Sequence, residues 1–255
     1  MKLLNIDQNA KTVKGQKKGY MTAILYLAPY KLSGYQVCPM AEAAGCVGDC
    51  LNTAGRGGMA KADADTAVVD GLVVKLNAIQ KARIARTRLF FEDRAAFLAL
   101  LVNEIQNAVK LASKKGLGLV IRLNGTSDIR WENVIVSDNK TIFQLFSDIQ
   151  FYDYTKIANR KISHIPNYHL TFSYSHRPEF MKYVKKAIMN YGNSINLAVV
   201  FQSKTLPESF MGLEVDSADE SDLRFLDRKG IIAGLIAKGK ARKSTSGFCV
   251  PALAA

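Results

Sequence analysis

The chain has 255 residues, of which 48% are hydrophobic and 22% are charged. This composition is typical of a soluble globular protein with a substantial core. No apolar run approaches the roughly 20 residues of a membrane-spanning helix, and the N-terminal segment lacks the apolar stretch of a signal peptide. We therefore expect a cytoplasmic protein with no membrane partner. The net charge of +13 predicts attraction to nucleic acid or other polyanions, although no zinc-finger, helix-turn-helix or ribonucleoprotein motif accompanies the basic residues.

The N-terminal half predicts one strand followed by two helices. A run of β-branched and aromatic residues over 20–30 predicts a buried strand that stops at Pro29. Apolar residues at helical spacing predict a long amphipathic helix over 66–91. A second helix is expected to begin after Asp93, which can cap it, and to end at Gly116.

The C-terminal half alternates short apolar runs with helical segments. The expected strands lie in 117–125, 149–156, 168–175, 195–204 and 230–242, and the expected helices in 139–149, 156–162 and 177–192. This alternation predicts right-handed crossovers and a mostly parallel sheet. We expect a single α/β domain over 1–255, built as a partial or irregular TIM-like barrel, with a basic N-terminal segment and a cysteine loop after the first strand.

Each of these strands gives way to polar residues at its carboxyl end, where parallel α/β sheets place their sites. The polar residues are Asn124, Thr126, Ser127, Asp128, Asp153, Tyr154, Lys156, Ser173, Ser175, His176, Gln202, Ser203, Lys204, Lys238, Lys240 and Arg242. They predict a polar cleft in which the candidates for substrate binding or proton transfer are Asp128, Asp153, Lys156 and Lys238. In the same half, Asp222, Arg224 and Asp227 are expected to form surface ion pairs on a helix, which contribute little to stability.

Three of the four cysteines, Cys38, Cys46 and Cys50, lie close together in a glycine-rich loop. Their spacing, C-x7-C-x3-C, matches neither the paired knuckles of most structural zinc sites nor the ferredoxin run. A disulfide framework is disfavoured in a long chain without export signals, whereas a metal or cluster needs several thiolates together. Cys249 follows the last predicted strand and is the candidate fourth ligand. The alternative fourth ligands are His164, His169 and His176. The irregular spacing favours a [4Fe-4S] cluster, with zinc as the alternative.

Several stretches of the chain resemble one bacteriophage family. They are GYQVCPMAEAAGCVGDCLNTAGRGG, LVIRLNGTSDIRWE, FYDYTK, LTFSYS, SDLRFLDRKGIIAGLIAKGKAR and the later FCV. Together they resemble the family called gene product eighty-eight over about residues 15–249, most specifically in the cysteine loop and the NGTSD turn. The resemblance implies a phage origin and an accessory role in the infected cell, but no particular reaction.

The place of the cysteine loop after the first strand is similar to the partial TIM barrel of radical S-adenosylmethionine enzymes, in which a three-cysteine loop holds a [4Fe-4S] cluster. The chain departs from the C-x3-C-x2-C spacing of those enzymes, and it lacks their Gly-Gly-Glu-like segment. If Cys249 binds the fourth iron, S-adenosylmethionine cannot bind the cluster in the usual way. The similarity concerns architecture alone and does not establish function.

Three functions follow from these patterns. The first is a phage-encoded iron-sulfur protein in the cytoplasm of the infected host cell, with the four cysteines as ligands. Its role would be redox, regulatory or catalytic, with a redox partner or a small-molecule substrate. The second is a zinc-stabilised basic nucleic-acid-binding protein, in which Phe151, Tyr152 and Tyr154 contact the nucleic acid. The third is an atypical radical S-adenosylmethionine-like enzyme with one iron left open, although the sequence offers no nucleophile-base pair on which to assign catalysis.

Overall fold

The computed structural model of the chain describes residues 1–8, 10–50, 52, 55–59, 61, 64–69, 72–192 and 195–252. Its strands are β1 (Leu4–Ile6), β2 (Tyr20–Leu25), β3 (Thr66–Val69), β4 (Leu72–Lys75), β5 (Gly118–Arg122), β6 (Ile135–Ser137), β7 (Lys140–Thr141), β8 (Gln150–Thr155), β9 (Tyr168–Ser173), β10 (Leu197–Phe201), β11 (Ser209–Phe210), β12 (Leu213–Ser217) and β13 (Ile232–Ile236). Its helices are α1 (Ala10–Gly15), α2 (Tyr30–Ser33), α3 (Ala78–Glu92), α4 (Arg94–Lys114), α5 (Ile142–Leu145) and α6 (Met181–Tyr191).

Nine of these strands form one sheet, in the order β1-β2-β5-β8-β9-β10-β13-β12-β11. β1 is antiparallel to β2 and β11 is antiparallel to β12, whereas the other neighbours run parallel. The predicted α/β class and the mostly parallel sheet are therefore confirmed. Over the described residues the sheet keeps two separate edges, β1 and β11, and does not close, so a TIM-like barrel is not confirmed.

Six parallel strands, β2, β5, β8, β9, β10 and β13, follow one another in the sheet in the same order as in the chain. Their carboxyl ends therefore meet along one side of the sheet, which we call the carboxyl edge and which consists of the residues that follow these six strands. Cross-strand pairs such as Ile24↔Arg122 and Phe201↔Ile236 set the register of neighbouring strands there. The polar residues predicted at the strand ends accordingly lie along this edge.

The helices α4 and α6 cover the same face of the sheet. Phe97, Leu101 and Ile105 of α4 belong to a buried apolar cluster that includes Leu170 of β9. Phe172, two residues further along β9, belongs to the cluster around α6. Residues two apart in a strand point to the same side, so both helices lie on one face. The opposite face is covered near β5 and β8 by residues 223–225.

The prediction of a single helix over 66–91 is wrong in its first half. β3 and β4 form an antiparallel hairpin there, because the β-branched residues of this stretch favour extended backbone. α3 begins only after Asn77, whose Oδ1 accepts from the N–H of Gln80 at 2.9 Å, while Gln80 Oε1 accepts from the N–H of Asn77 at 3.1 Å. This capping box sets the start of the helix. Residues 70 and 71 lie outside the described residues.

The second predicted helix is confirmed as α4. The Asp93 carboxylate accepts from the N–H of Ala96 at 3.0 Å, and Gly116 follows the helix with a φ of +65°. Within the described chain, α4 is the one helix whose length and composition would suffice to cross a membrane, and here it packs against the sheet. The helix predicted over 156–162 is wrong, since these residues form a turn flanked by irregular backbone. The strands β1, β11 and β12 lie outside the predicted elements; β1 and β11 have only three and two residues, too few for a recognisable pattern.

Candidate functional site

The cysteine loop, residues 38–50, follows β2 and α2 at the carboxyl edge of the sheet. The N–H of Ala41 donates to the Cys38 carbonyl oxygen at 3.1 Å, and the N–H of Cys46 donates to the Ala41 carbonyl oxygen at 3.1 Å. These bonds fold the loop into successive turns. Cys46 is buried, and Cys38 and Cys50 are half-buried. The loop therefore holds its three thiols against the protein.

Cys249 lies in the C-terminal tail, residues 246–250, which pairs with the end of β10. The N–H of Val250 donates to the Val200 carbonyl oxygen at 2.8 Å, and the N–H of Gln202 donates to the Val250 carbonyl oxygen at 2.9 Å. The pairing is parallel. Because β10 ends at the carboxyl edge, the tail carries Cys249, which is 4% exposed, to the same edge as the cysteine loop.

Direct contacts join the cysteine loop to the tail and to the end of β9. The Ser246 hydroxyl donates to Asp49 Oδ2 at 2.7 Å, and the Ser175 hydroxyl donates to the Ala44 carbonyl oxygen at 2.8 Å. Gly45 has a φ of +68°, and a Cβ at this position would lie 2.7 Å from the Ser246 carbonyl oxygen. Glycine is required here because the backbone is left-handed and because the tail approaches so closely.

The contacts between the tail and the cysteine loop bring all four cysteines to the same part of the carboxyl edge. Burial raises the pKa of Cys38 and of Cys249 to about 12, and it also raises the pKa of Cys50. Such thiols stay protonated at neutral pH unless a cation replaces the proton. In the described part of the chain, no three His, Cys, Asp or Glu side chains form a group that could hold a metal ion. The structure thus brings the predicted cysteines together without showing a metal site.

One basic side chain, Lys156 at the end of β8, lies beside the thiols. Its Nζ donates to Ser173 Oγ at 2.9 Å and lies 5.0 Å from the centre of the Phe248 ring. Burial opposes the charge of Lys156, but the neighbouring cysteines and Asp128 outweigh burial and raise its pKa. Lys156 is therefore a positive charge held in place next to the cysteines.

Two carboxylates of the predicted cleft, Asp128 and Asp153, are buried. Asp128 accepts from Thr155 Oγ1 at 2.8 Å and from the N–H of Lys156 at 2.7 Å. Asp153 accepts from the N–H of Asn124 at 2.9 Å. Burial raises the pKa of both groups, that of Asp153 to about 6. Their contacts hold the segments that follow β5 and β8, and their role in proton transfer stays a prediction.

The remaining candidates lie apart from one another along the chain. Lys238, at the end of β13, donates to Asp219 Oδ1 at 2.6 Å and has more than half of its side chain exposed. Among the alternative ligands, His164 is exposed, and burial lowers the pKa of His169 to about 4. His176 Nδ1 lies 3.2 Å from the Tyr174 hydroxyl. These contacts give the histidines neighbours other than a metal.

A second polar cluster lies on the opposite face of the sheet from α4. No spacing of residues along the sequence indicates this cluster. Arg122 Nη1 of β5 lies 2.5 Å from Asp222 Oδ2, and the Tyr154 hydroxyl lies 3.4 Å from Asp222 Oδ1. The predicted ion pair between Arg224 and Asp227 is present, with Arg224 Nη1 3.0 Å from Asp227 Oδ2. The prediction of a surface position is wrong for Asp222, which is buried against the sheet, and for Arg224, which is 3% exposed. The signal for the cluster is an arginine inside an otherwise apolar strand.

The aromatic residues proposed as nucleic-acid contacts lie within the sheet. Phe151 and Tyr152 of β8 are both 0% exposed, and Tyr154 is half-buried. Because stacking on a base needs an accessible ring face, the expectation is wrong for Phe151 and Tyr152. Any contact with nucleic acid must use other side chains.

Comparison with known proteins identifies one family. A family model described as gene product 88 matches residues 1–252. No curated protein and no solved structure matches the chain. The matched range includes all four cysteines, the polar strand ends and the Arg122–Asp222 cluster.

Proposed function

The chain belongs to the gene product 88 family, and we propose that it is a phage-encoded iron-sulfur protein made in the cytoplasm of the infected host cell. In this proposal, Cys38, Cys46, Cys50 and Cys249 hold a [4Fe-4S] cluster with a redox, regulatory or catalytic accessory role. The observation that carries the proposal is the Ser246–Asp49 hydrogen bond, which joins the tail with Cys249 to the loop with the other three cysteines.

The preference for a cluster over a single zinc ion rests on the irregular spacing of the cysteines, C-x7-C-x3-C, which matches no paired zinc knuckle. A Zn–S bond of about 2.3 Å places two thiolates of one zinc site within roughly 4 Å of each other. A cubane cluster binds each thiolate to a different iron, so its ligands stand farther apart. Cysteines that are separated irregularly in a glycine-rich loop suit ligands that stand farther apart.

The surroundings of the thiols also support the proposal. A bound iron-sulfur cluster supplies one-electron transfer. Buried thiols are neutral on their own, and they lose their protons when a cation binds them. Lys156 holds a positive charge beside the resulting thiolates, and Ser173 and the Phe248 ring keep its Nζ in place. A positive charge next to an anionic cluster raises its reduction potential, so Lys156 would favour the reduced form.

The proposal is tested by purifying the full chain without oxygen and measuring iron, acid-labile sulfide and the electron paramagnetic resonance spectrum. We expect brown protein with iron and sulfide in equal amounts, about four of each per chain. Colourless protein that holds stoichiometric zinc would contradict the proposal and favour the zinc-stabilised alternative.

Two substitutions then test the ligand set. Cys249→Ala removes the proposed fourth ligand, so we expect the iron content to fall and the spectrum to change. Ser246→Ala removes the hydroxyl that donates to Asp49 and accepts from the N–H of Phe248, but no thiol, and it is the matched control in the same tail. It should keep its iron. Equal iron loss in both variants would show that the tail is needed for folding and not for ligation.

One observation favours an atypical radical S-adenosylmethionine-like enzyme as the second candidate. The six parallel strands follow chain order, with α4 and α6 on one face, and the cysteine loop follows the first of the six. This is the order that a partial barrel would have, which supports the similarity in architecture. The role requires an iron without a protein ligand. A Cys249→Ala variant that keeps its cluster, together with binding of S-adenosylmethionine to the unsubstituted protein, would favour it.

A further inference from the structure

Five exposed basic side chains stand together at the carboxyl edge, and we call them the basic rim. They are Lys204, Lys238, Lys240, Arg242 and Lys243. Lys204 follows β10 and the others follow β13, and these two strands pair in parallel up to Phe201↔Ile236. The rim also leads directly into the tail that carries Cys249. Neighbouring strand ends thus gather charges from separate stretches of sequence into one patch.

The turn that carries most of the rim, Gly239–Lys243, is held in a fixed shape. Gln202 Nε2 donates to the Ala241 carbonyl oxygen at 2.9 Å and to the Ser244 carbonyl oxygen at 2.8 Å. The Ala241 side chain is buried in the core. Because the backbone is already ordered, a ligand bound by these side chains would not have to order the turn.

The charges of the rim are largely uncompensated. Lys238 pairs with Asp219 at 2.6 Å. For the other four rim residues, no carboxylate of the described chain lies within ion-pair distance. The rim also lacks the exposed large apolar side chains with which a basic segment enters a membrane surface, since Met211 and Leu226 lie outside it. A hydrophilic, positively charged and ordered surface matches the phosphodiester backbone of nucleic acid.

We propose that the basic rim binds the phosphate backbone of nucleic acid at the carboxyl edge. The inference does not rest on the cluster, since none of the rim residues is a proposed ligand. Contacts to phosphates carry no sequence information by themselves, so the binding is expected to tolerate many sequences. It would bring a strand of nucleic acid close to the cysteine loop and the tail.

The test measures binding of the full chain to mixed-sequence duplex DNA, single-stranded DNA and RNA over a range of salt concentrations. The rim variant carries Lys240→Gln, Arg242→Gln and Lys243→Gln. It loses three charges, so the slope of log Kobs against log salt concentration should become shallower by about 2 to 3. Comparison of the three nucleic acids shows which form the rim prefers. A second variant, Lys240→Arg with Lys243→Arg, keeps the charge and should bind like the unsubstituted protein.

The matched control removes the same charge from another surface. Lys182, Lys185 and Lys186 are exposed on α6, and their combined change to Gln should leave the salt slope nearly unchanged. Equal weakening by both triple variants would overturn the proposal, because binding would then depend only on net charge. Absence of binding to all three nucleic acids would also overturn it. Binding of the rim to anionic phosphatidylserine vesicles in place of nucleic acid would overturn the proposal as well.

Discussion

Replacing Asp222 by Asn tests whether the ion pair with Arg122 stabilises the fold. Arg122 Nη1 lies 2.5 Å from Asp222 Oδ2, and their side chains are only 9% and 11% exposed. Arg122 Nε has no hydrogen-bond partner among the described residues, so the guanidinium has few other acceptors. Removing the carboxylate leaves the buried guanidinium without its ion-pair partner. We expect Asp222→Asn to lower the free energy of unfolding by about 3 to 5 kcal/mol.

Urea unfolding followed by circular dichroism measures this loss. The double variant Arg122→Met with Asp222→Leu removes both charges. Its free energy of unfolding should be much closer to that of the unsubstituted protein than the value for Asp222→Asn, because apolar packing can replace a buried ion pair. The control Glu214→Gln alters the exposed pair with Arg228 and should leave the unfolding midpoint nearly unchanged. A loss below about 1 kcal/mol in Asp222→Asn would refute the reasoning, since removing one partner of a buried pair must cost more than that. A double variant as unstable as the single one would refute it too.

Two further predictions concern buried groups near the carboxyl edge. Because burial raises the pKa of Asp153 to about 6, the folded protein binds this proton more tightly than the unfolded chain, whose aspartates titrate near about 3.9. The free energy of unfolding should therefore fall by about 3 kcal/mol as the pH rises from about 3 to about 7. Asp153→Asn should lack this part of the pH dependence in urea titrations, and equal slopes in the two proteins would contradict the assignment. Gly125→Ala should destabilise the protein by about 1 to 3 kcal/mol in thermal unfolding, because the new Cβ would lie 2.6 Å from Ile24 Cγ2. Gly48→Ala is the control, since a Cβ at that position meets nothing within 4 Å. A similar loss in both glycine variants would show that the close approach at Gly125 is not its cause.

The parallel strands could be predicted from the sequence because their signal is local. Runs of β-branched and aromatic residues ended by polar residues mark β5, β8, β9, β10 and β13, and Asp93 marks the start of α4. The pattern over 66–91 was ambiguous, since apolar residues at mixed spacing fit a helix as well as a hairpin. The Asn77 capping box and the β-branched residues before it favour the hairpin and the later helix start.

Much less of the candidate site could be predicted, because its contacts join residues that are distant in the chain. The cysteines stand out by residue type, and their grouping in one loop is visible in the sequence. Lys156 was one of many polar residues at strand ends, and its place beside the thiols depends on how β8 lies relative to the cysteine loop. The Asp222–Arg122 pair joins residues 100 positions apart, which no periodicity can indicate.

The α/β class, the parallel strands and the four cysteines could be predicted from the sequence, because they depend on local residue patterns and on residue chemistry. The open sheet of the described residues and the return of the tail to the cysteine loop depend on long-range packing, so they are seen only in the folded chain. The bond between Ser246 and Asp49 spans 197 positions and exists because β10 provides the pairing edge for the tail. Strand order in a sheet depends on the packing of the whole chain, so it can be read only from the fold.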